Sequence, residues 1–325
     1  MHLAAHQLSD FERDGYVVAR GLLSPSNDLE PVIDEYSQVL DRVAHRMHST
    51  GEISSAYAEL PFTERAIAIT REAGLLDPQP FDISLPTHST LTAETEFHFG
   101  PAVLALLTNE RLLDGVESII GPEITSNPVQ HVRIKPPERL LRKNAPGLVT
   151  RTSWHQDNGV VDKSADDTNM LTVWIPLTEA TERNGCLTVV PGSYRNGLHV
   201  HCPLTSTGKS VIHIPAEIVQ RGQVKPLPMD PGDVLFMHRL CMHGSLSNHS
   251  DAVRWSLDVR YNPTGQTTGR EVLPSFIARS RTNPDSELHD ANTWRKMWMD
   301  ARDHLLTNHI PATKSRWDGN HELCA

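Results

Sequence analysis

Apolar positions along this chain keep a helical spacing through the first third and change to short alternating runs near Glu123. Leu29, Val32, Ile33, Tyr36, Val39, Leu40 and Val43 recur at steps of three and four, which predicts a helix with one buried stripe, N-capped by Ser26 or Asn27. A shorter helix is predicted over Leu8 to Arg13, with Ser9 as its cap and Gly15 as its stop, leading into a strand at Tyr16-Val17-Val18-Ala19. Pro61 to Arg71 and Pro101 to Ile120 also read as helices, the second broken near Asn109 and ending at Gly121. All of these are expected to pack on the outside of a sheet.

From Glu123 to Pro263 short β-rich runs are separated by Gly, Pro, Asn and Asp. That is the pattern of a jelly-roll barrel and not of alternating β/α units. Pro136 to Thr150 interrupts it with prolines, Arg139, Arg142 and Lys143, and is expected to be a long mobile loop beside the site. Beyond Pro263 the chain is polar until a helix predicted over Ala291 to Leu306. The tail with Trp317-Asp318-Gly319-Asn320-His321 is expected to close over one end of the barrel. The whole is read as one domain, mainly β with α decoration: a mostly helical N-terminal region over residues 1–122, a core over 123–263 with a lid loop at 136–150, and an extension over 264–325.

Ser153-Trp154-His155-Gln156-Asp157 reads as strand, so His155 and Asp157 would leave the same face and could reach one ion together. Cys241-Met242-His243-Gly244-Ser245 offers a third ligand, His243, after the strand-like run Asp233 to Met237. Two His and one carboxylate leave one face of the metal open, as in non-haem Fe(II) oxygenases. In a chain with 18 His the triplet alone arises about once by chance. His249-Ser250-Asp251 has the same spacing but follows the turn-like Ser247-Asn248, where no shared strand face exists. The other polar alternation is Val253 to Arg260, with Arg254, Ser256, Asp258 and Arg260 on one face. That face is either the wet side of a sandwich or the lining of a barrel in which a guanidinium clamps a carboxylate.

Asp157-Asn158-Gly159, Leu171 to Leu177 with Trp174, Asn184-Gly185-Cys186-Leu187, Pro191-Gly192-Ser193-Tyr194, Gly232-Asp233-Val234, His243-Gly244-Ser245, Asn248 and Arg254 follow one another in the order seen in the phytanoyl-CoA dioxygenase family, which this chain resembles. Phe11-Glu12-Arg13-Asp14-Gly15-Tyr16-Val17-Val18 looks like the family's N-terminal helix and strand. The resemblance implies a double-stranded β-helix (jelly-roll, cupin-like) core, Fe(II) on His155, Asp157 and His243, 2-oxoglutarate as cosubstrate and O2. It implies oxidation of a C–H bond of a small molecule with release of succinate and CO2. The eleven-residue step from His243 to Arg254 is that of the family's distal His and its 2-oxoglutarate-binding Arg; Ser245 stands where a hydroxyl shares that carboxylate, and Trp174 where a Trp packs beside the cosubstrate. Gln130 and Lys135 lie where relatives face cosubstrate or substrate. Asp157 argues for hydroxylation or a related oxidation over halogenation, which in related enzymes needs a small residue there.

Composition narrows the rest. A net charge of −10 argues against a nucleic-acid or anionic-membrane partner. The start lacks a signal-like apolar region and no run is long enough to cross a bilayer, which gives an expectation of a cytoplasmic protein. Cys186, Cys202, Cys241 and Cys324 show no framework spacing, so reduced thiols are expected. Arg139, Arg142, Lys143 and Arg151 suggest an anionic substrate, with an exposed basic loop as the alternative. Two other classes stay open: a cupin-like metalloprotein with Zn(II), Mn(II) or Ni(II) for hydrolysis or isomerisation, and a non-catalytic β-sandwich binding module.

Overall fold

The structure, a computed structural model, describes residues 2–86, 91–204, 211–311 and 315–324. The chain begins with α1 (Ala5–Asp14), capped at Ala4 and not at Ser9, and stopped by Gly15 in the left-handed region at φ 78°. Strand β1 (Tyr16–Ala19) follows. Ser24, ahead of the expected caps Ser26 and Asn27, accepts from Asn27 N and opens a π-helical stretch, Pro25–Leu29, that runs into α2 (Glu30–Ser49). After α3 (Phe62–Ala73) come α4 (Pro101–Leu107) and α5 (Glu110–Ile120), separated as predicted at Asn109, whose side chain caps α5.

The strands are β2 (Glu123–Lys135), β3 (Leu171–Pro176), β4 (Leu187–Val189), β5 (Cys202–Leu204), β6 (Val211–His213), β7 (Lys225–Leu227), β8 (Val234–His238), β9 (His243–Ser245), β10 (Arg254–Pro263) and β11 (Phe276–Ser280). The short α6 (Ala216–Val219) precedes β7, and α7 (Ala291–Asn308) follows β11. One six-stranded sheet runs β1-β8-β3-β10-β2-β11, and a three-stranded sheet runs β7-β4-β9, with antiparallel pairing throughout. The edges of the larger sheet, β1 and β11, come from outside the 123–263 span.

Alternation sorts the two faces of the larger sheet. Val132, Ile134, Leu171, Val173, Ile175, Phe236, Trp255, Leu257, Val259 and Tyr261 share one core with Val32, Tyr36, Val39 and Leu40 of α2 and with the other helices. Phe62 of α3 stacks on Trp255 with ring centroids 4.0 Å apart. The opposite face contributes Tyr16, Trp174, Leu235 and Met237 to a second core with Leu187, Val189 and Leu227 of the smaller sheet. The jelly-roll expectation holds, and polar residues of that inner face are left to line the space between the sheets.

Cys202 and Cys324 form a disulfide across 122 residues, where the sequence led us to expect thiols. A bond between partners so far apart leaves no local spacing to read. Cys186 and Cys241 are free and buried. Among the described residues no helix is long and apolar enough to cross a membrane.

Candidate active site

His155 and Asp157 do not sit in a strand. His155 makes one isolated bridge to His243, its N–H donating to His243 O and its own carbonyl accepting from His243 N, both at 2.9 Å. Asp157 already opens a 3-10 turn, Asp157–Gly159, as Asp-Asn-Gly favours turns over strands. The shared face survives because Gln156 points the other way: its Nε2 donates to Gly197 O (2.8 Å) and Leu240 O (2.7 Å), and its Oε1 accepts from His199 N (2.7 Å).

The result is a triad. His155 Nε2 lies 3.7 Å and His243 Nε2 3.9 Å from Asp157 Oδ1, and one ligand atom from each residue falls within 4.8 Å of the others. Each ring nitrogen on the far side donates to a carbonyl, His155 Nδ1 to Ser153 O (2.8 Å) and His243 Nδ1 to Cys241 O (3.1 Å), which leaves both Nε2 lone pairs facing the centre. Burial pushes the His155 imidazole down to about 3, assisted by His243, so at neutral pH its Nε2 carries no proton to displace. Burial alone would raise Asp157, but the charge of Arg260 and the two imidazoles hold its carboxyl well below the usual range.

Two residues behind Asp157 had no role in the sequence reading. Arg260 Nη2 donates to Asp157 Oδ1 at 2.5 Å, and Thr172 Oγ1 donates to Asp157 Oδ2. Alternation already put Arg260 on the face of Arg254, and Thr172 lies two residues before Trp174 on β3; what it could not show was that Asp157 would come to them.

Arg254 and Lys135 are register partners on β10 and β2, both 1% exposed. Lys135 Nζ donates to Ser245 Oγ and Thr152 Oγ1, each at 2.8 Å. Arg254 donates to Ser256 Oγ (2.7 Å) and Gly185 O (3.2 Å), with its guanidinium carbon 5.6 Å from the Trp174 ring centre. Burial, then the neighbouring Arg254, pushes Lys135 well below its ordinary value, and burial with Arg133 lowers Arg254 to about 10. Among the described residues neither cation has a salt-bridge partner. Two like charges held together in a dry interior are costly without an anion. Gln130, the remaining predicted residue, donates through Nε2 to Ser126 Oγ at 2.7 Å and leaves Oε1 buried without a partner.

The segment 136–150 leaves β2 at Lys135 and returns at Thr152, so both its ends meet the cation pair. Its basic residues do not converge there: Arg139 pairs with Asp251 at the surface, and Arg142 N donates to Gly74 O at 2.9 Å. A further cation on the face of Lys135 and Arg254 is Arg133, opposite Ser256 in the β2–β10 register.

The model of the phytanoyl-CoA dioxygenase (PhyH) family matches residues 11–256. A probable phytanoyl-CoA dioxygenase of Caenorhabditis elegans is 23% identical over 316 residues, 90% of this chain and 91% of that one. A 1-deoxypentalenic acid 11-beta-hydroxylase of Streptomyces arenae is 32% identical over 130 residues; the match spans 38% of this chain and less than half, 44%, of that relative. Among solved structures, a non-heme monooxygenase, ThoJ in its apo form, superposes with a TM-score of 0.54 at 15% identity over 92% of this chain and 98% of that one, a likeness of fold.

Proposed function

Since the chain belongs to the phytanoyl-CoA dioxygenase family, whose members are non-haem Fe(II) and 2-oxoglutarate-dependent oxygenases, we propose that it oxidises a C–H bond of a small anionic molecule, most simply by hydroxylation, with 2-oxoglutarate converted to succinate and CO2. The observation that carries this reading is a three-ligand cluster with both Nε2 atoms turned inward, together with a buried Lys135–Arg254 pair that has no salt-bridge partner among the described residues.

The residues fit the groups they would hold. His155, Asp157 and His243 supply the facial donor set, and Arg254, Lys135 and Ser245 supply a cradle for the distal carboxylate of 2-oxoglutarate. The bound metal and cosubstrate supply the oxidation chemistry. The protein contributes orientation and dryness. Arg260 and Thr172 fix the Asp157 carboxylate, the carbonyls of Ser153 and Cys241 fix the imidazole tautomers, and Trp174 shields the guanidinium of Arg254 from water.

Anaerobic titration with Fe(II) and then 2-oxoglutarate tests this through the visible charge-transfer band of keto-acid chelation. Arg254→Ala should weaken 2-oxoglutarate by about 100-fold, in keeping with the loss of a partner to a buried charge, and leave Fe(II) binding in place. Fe(II) binding without the band would instead favour a cupin-like hydrolase or isomerase.

For the substrate, support comes from charge and position. Arg133 has a buried Nη1 with no hydrogen-bond partner, and Asp82, 4.0 Å away, already accepts from His131 Nδ1 and from the N–H groups of Val132 and Ile83. Arg133, His131 and Asp258 keep 17–19% of their side chains exposed, against the dry Lys135 and Arg254, so they line the outer portion of the inner face. The Streptomyces arenae relative is named for an acid substrate. Arg133→Gln should raise KM for an acidic substrate by about 10- to 100-fold while leaving the 2-oxoglutarate titration unchanged. An unchanged KM, or a weakened cosubstrate, would move Arg133 out of this role.

A further inference from the structure

The chain after α7 comes back to the turn that carries Asp157. Trp317 Nε1 donates to Gly159 O at 2.7 Å, and Arg316 Nη1 donates to Asn158 O at 3.1 Å while pairing with Asp166 at 2.5 Å. The Trp317 ring stacks on His201 with centroids 5.0 Å apart. His201 in turn accepts from Gln156 N through Nε2 at 2.9 Å, and a Cβ on Gly159 would lie 2.3 Å from its Cε1. The turn is therefore held both by residues 197–202 and by Arg316 and Trp317. Cys202, next to His201, is bonded to Cys324 of the same tail, and so ties the two segments together.

We propose that residues 315–324 are a positioning strap for Asp157, with Trp317 and His201 as its contacts, and that the Cys202–Cys324 disulfide sets how tightly the strap holds. The proposal rests on the reading of Asp157 as a metal ligand. Arg260 and Thr172 fix the carboxylate from the large sheet, whereas among the described residues the carbonyls of Asn158 and Gly159 accept from the tail, through Arg316 and Trp317, and from no group of that sheet. The disulfide makes docking of the tail a local event at high effective concentration. In the reductive step a dithiol's thiolate attacks one sulfur, and its second thiol then closes the dithiol's own ring. Two electrons and two protons end on Cys202 and Cys324, and the reductant leaves as its cyclic disulfide. The strap is then held only by Trp317, Arg316 and their neighbours.

The test uses the full chain. Fe(II) affinity is measured anaerobically by chelator competition for air-oxidised protein, dithiol-reduced protein freed of the dithiol, Cys324→Ser, Trp317→Ala and the double variant. Reduction and each single variant should raise the Fe(II) Kd by about tenfold, the low end for residues behind a ligand. The double variant should add little, since both changes release one strap. Trp317→Phe, which keeps a ring on His201 but loses the donor to Gly159, should fall between. Affinity for 2-oxoglutarate at saturating Fe(II) should stay within about twofold of the parent protein, because its cradle lies on other strands. Amide exchange at Gly159 and Val160 in metal-free protein should quicken on reduction. Unchanged Fe(II) affinity in all forms, or four reactive thiols in denatured air-oxidised protein, would overturn the proposal. Absent Fe(II) binding in every form, with exchange still quickened, would overturn the metal reading and leave the strap's hold on the turn supported.

Discussion

The Asp157–Arg260 contact is where the chemistry of the site depends on a single side chain outside the triad. A carboxylate buried beside two imidazoles needs a fixed orientation and a fixed charge, and Arg260 gives both: Nη2 to Asp157 Oδ1 at 2.5 Å and Nη1 to Val129 O at 3.0 Å. Removing it leaves a buried anion with Thr172 alone at Oδ2. Arg260→Gln should weaken Fe(II) by about 10- to 100-fold, and Arg260→Lys should recover some of that loss, since the charge returns without the planar fork. Anaerobic Fe(II) competition titrations of the variants measure this. Equal affinity in Arg260→Gln would show that Asp157 holds its place without the guanidinium. The alternation along β10 that marked Arg254 also marked Arg260; its partner stayed hidden because Asp157 reaches it only after the chain turns at Asp157–Gly159.

Among the elements, α5 packs tightly against the large sheet. A Cβ on Gly115 would stand 2.5 Å from Phe236 Cζ of β8, so the helix approaches the sheet by the width of a missing methyl group. Alanine there gains about 1 kcal/mol of helix propensity but overpacks a closed core, at a cost of about 1–3 kcal/mol. Gly115→Ala should therefore lower the urea midpoint by a net loss of about 1 kcal/mol without altering the slope; a higher midpoint would mean that Phe236 yields. Helices of this kind were legible from the sequence because each carries its own period and stop signals. The buried stripe of α2, the break at Asn109 and the stop at Gly15 all appear where spacing put them. What spacing could not supply was the cap at Ser24, ahead of Ser26 and Asn27, and contact between distant segments, as in the β11 edge strand and the Cys202–Cys324 bond. The site shows the same division. His155, Asp157, His243, Lys135, Ser245, Trp174 and Arg254 could be named in advance and are brought to the inner face, whereas the strand assigned to residues 153–157 gave way to a turn, and Arg139 of the basic loop pairs with Asp251 at the surface.

For the molecule as a whole, the same dry interior that suits the site sets a limit on the acid side. His201 and His238 are both held neutral, each lowered by burial to about 4. Each also uses a ring nitrogen as an acceptor, His201 Nε2 for Gln156 N and His238 Nδ1 for Leu240 N, and protonation would turn that acceptor into a donor facing a donor. In the unfolded chain both titrate near the ordinary value of about 6.5. Between that value and the folded value the unfolded state binds more protons, so stability rises with pH across this window and is lost as pH falls through it. Each imidazole contributes about 1 kcal/mol of lost stability per pH unit below about 6.5 until its folded pKa is reached. Thermal melts of metal-free protein should accordingly hold a constant midpoint above pH 7 and fall by on the order of 5 °C by pH 5.5. His201→Gln, which offers Gln156 N an amide oxygen that does not titrate, should flatten some of that slope. A midpoint that stays level from pH 7.5 to 5 in the parent protein would mean that these rings meet water in the folded state, and with it that the wall behind the Asp157 turn is open.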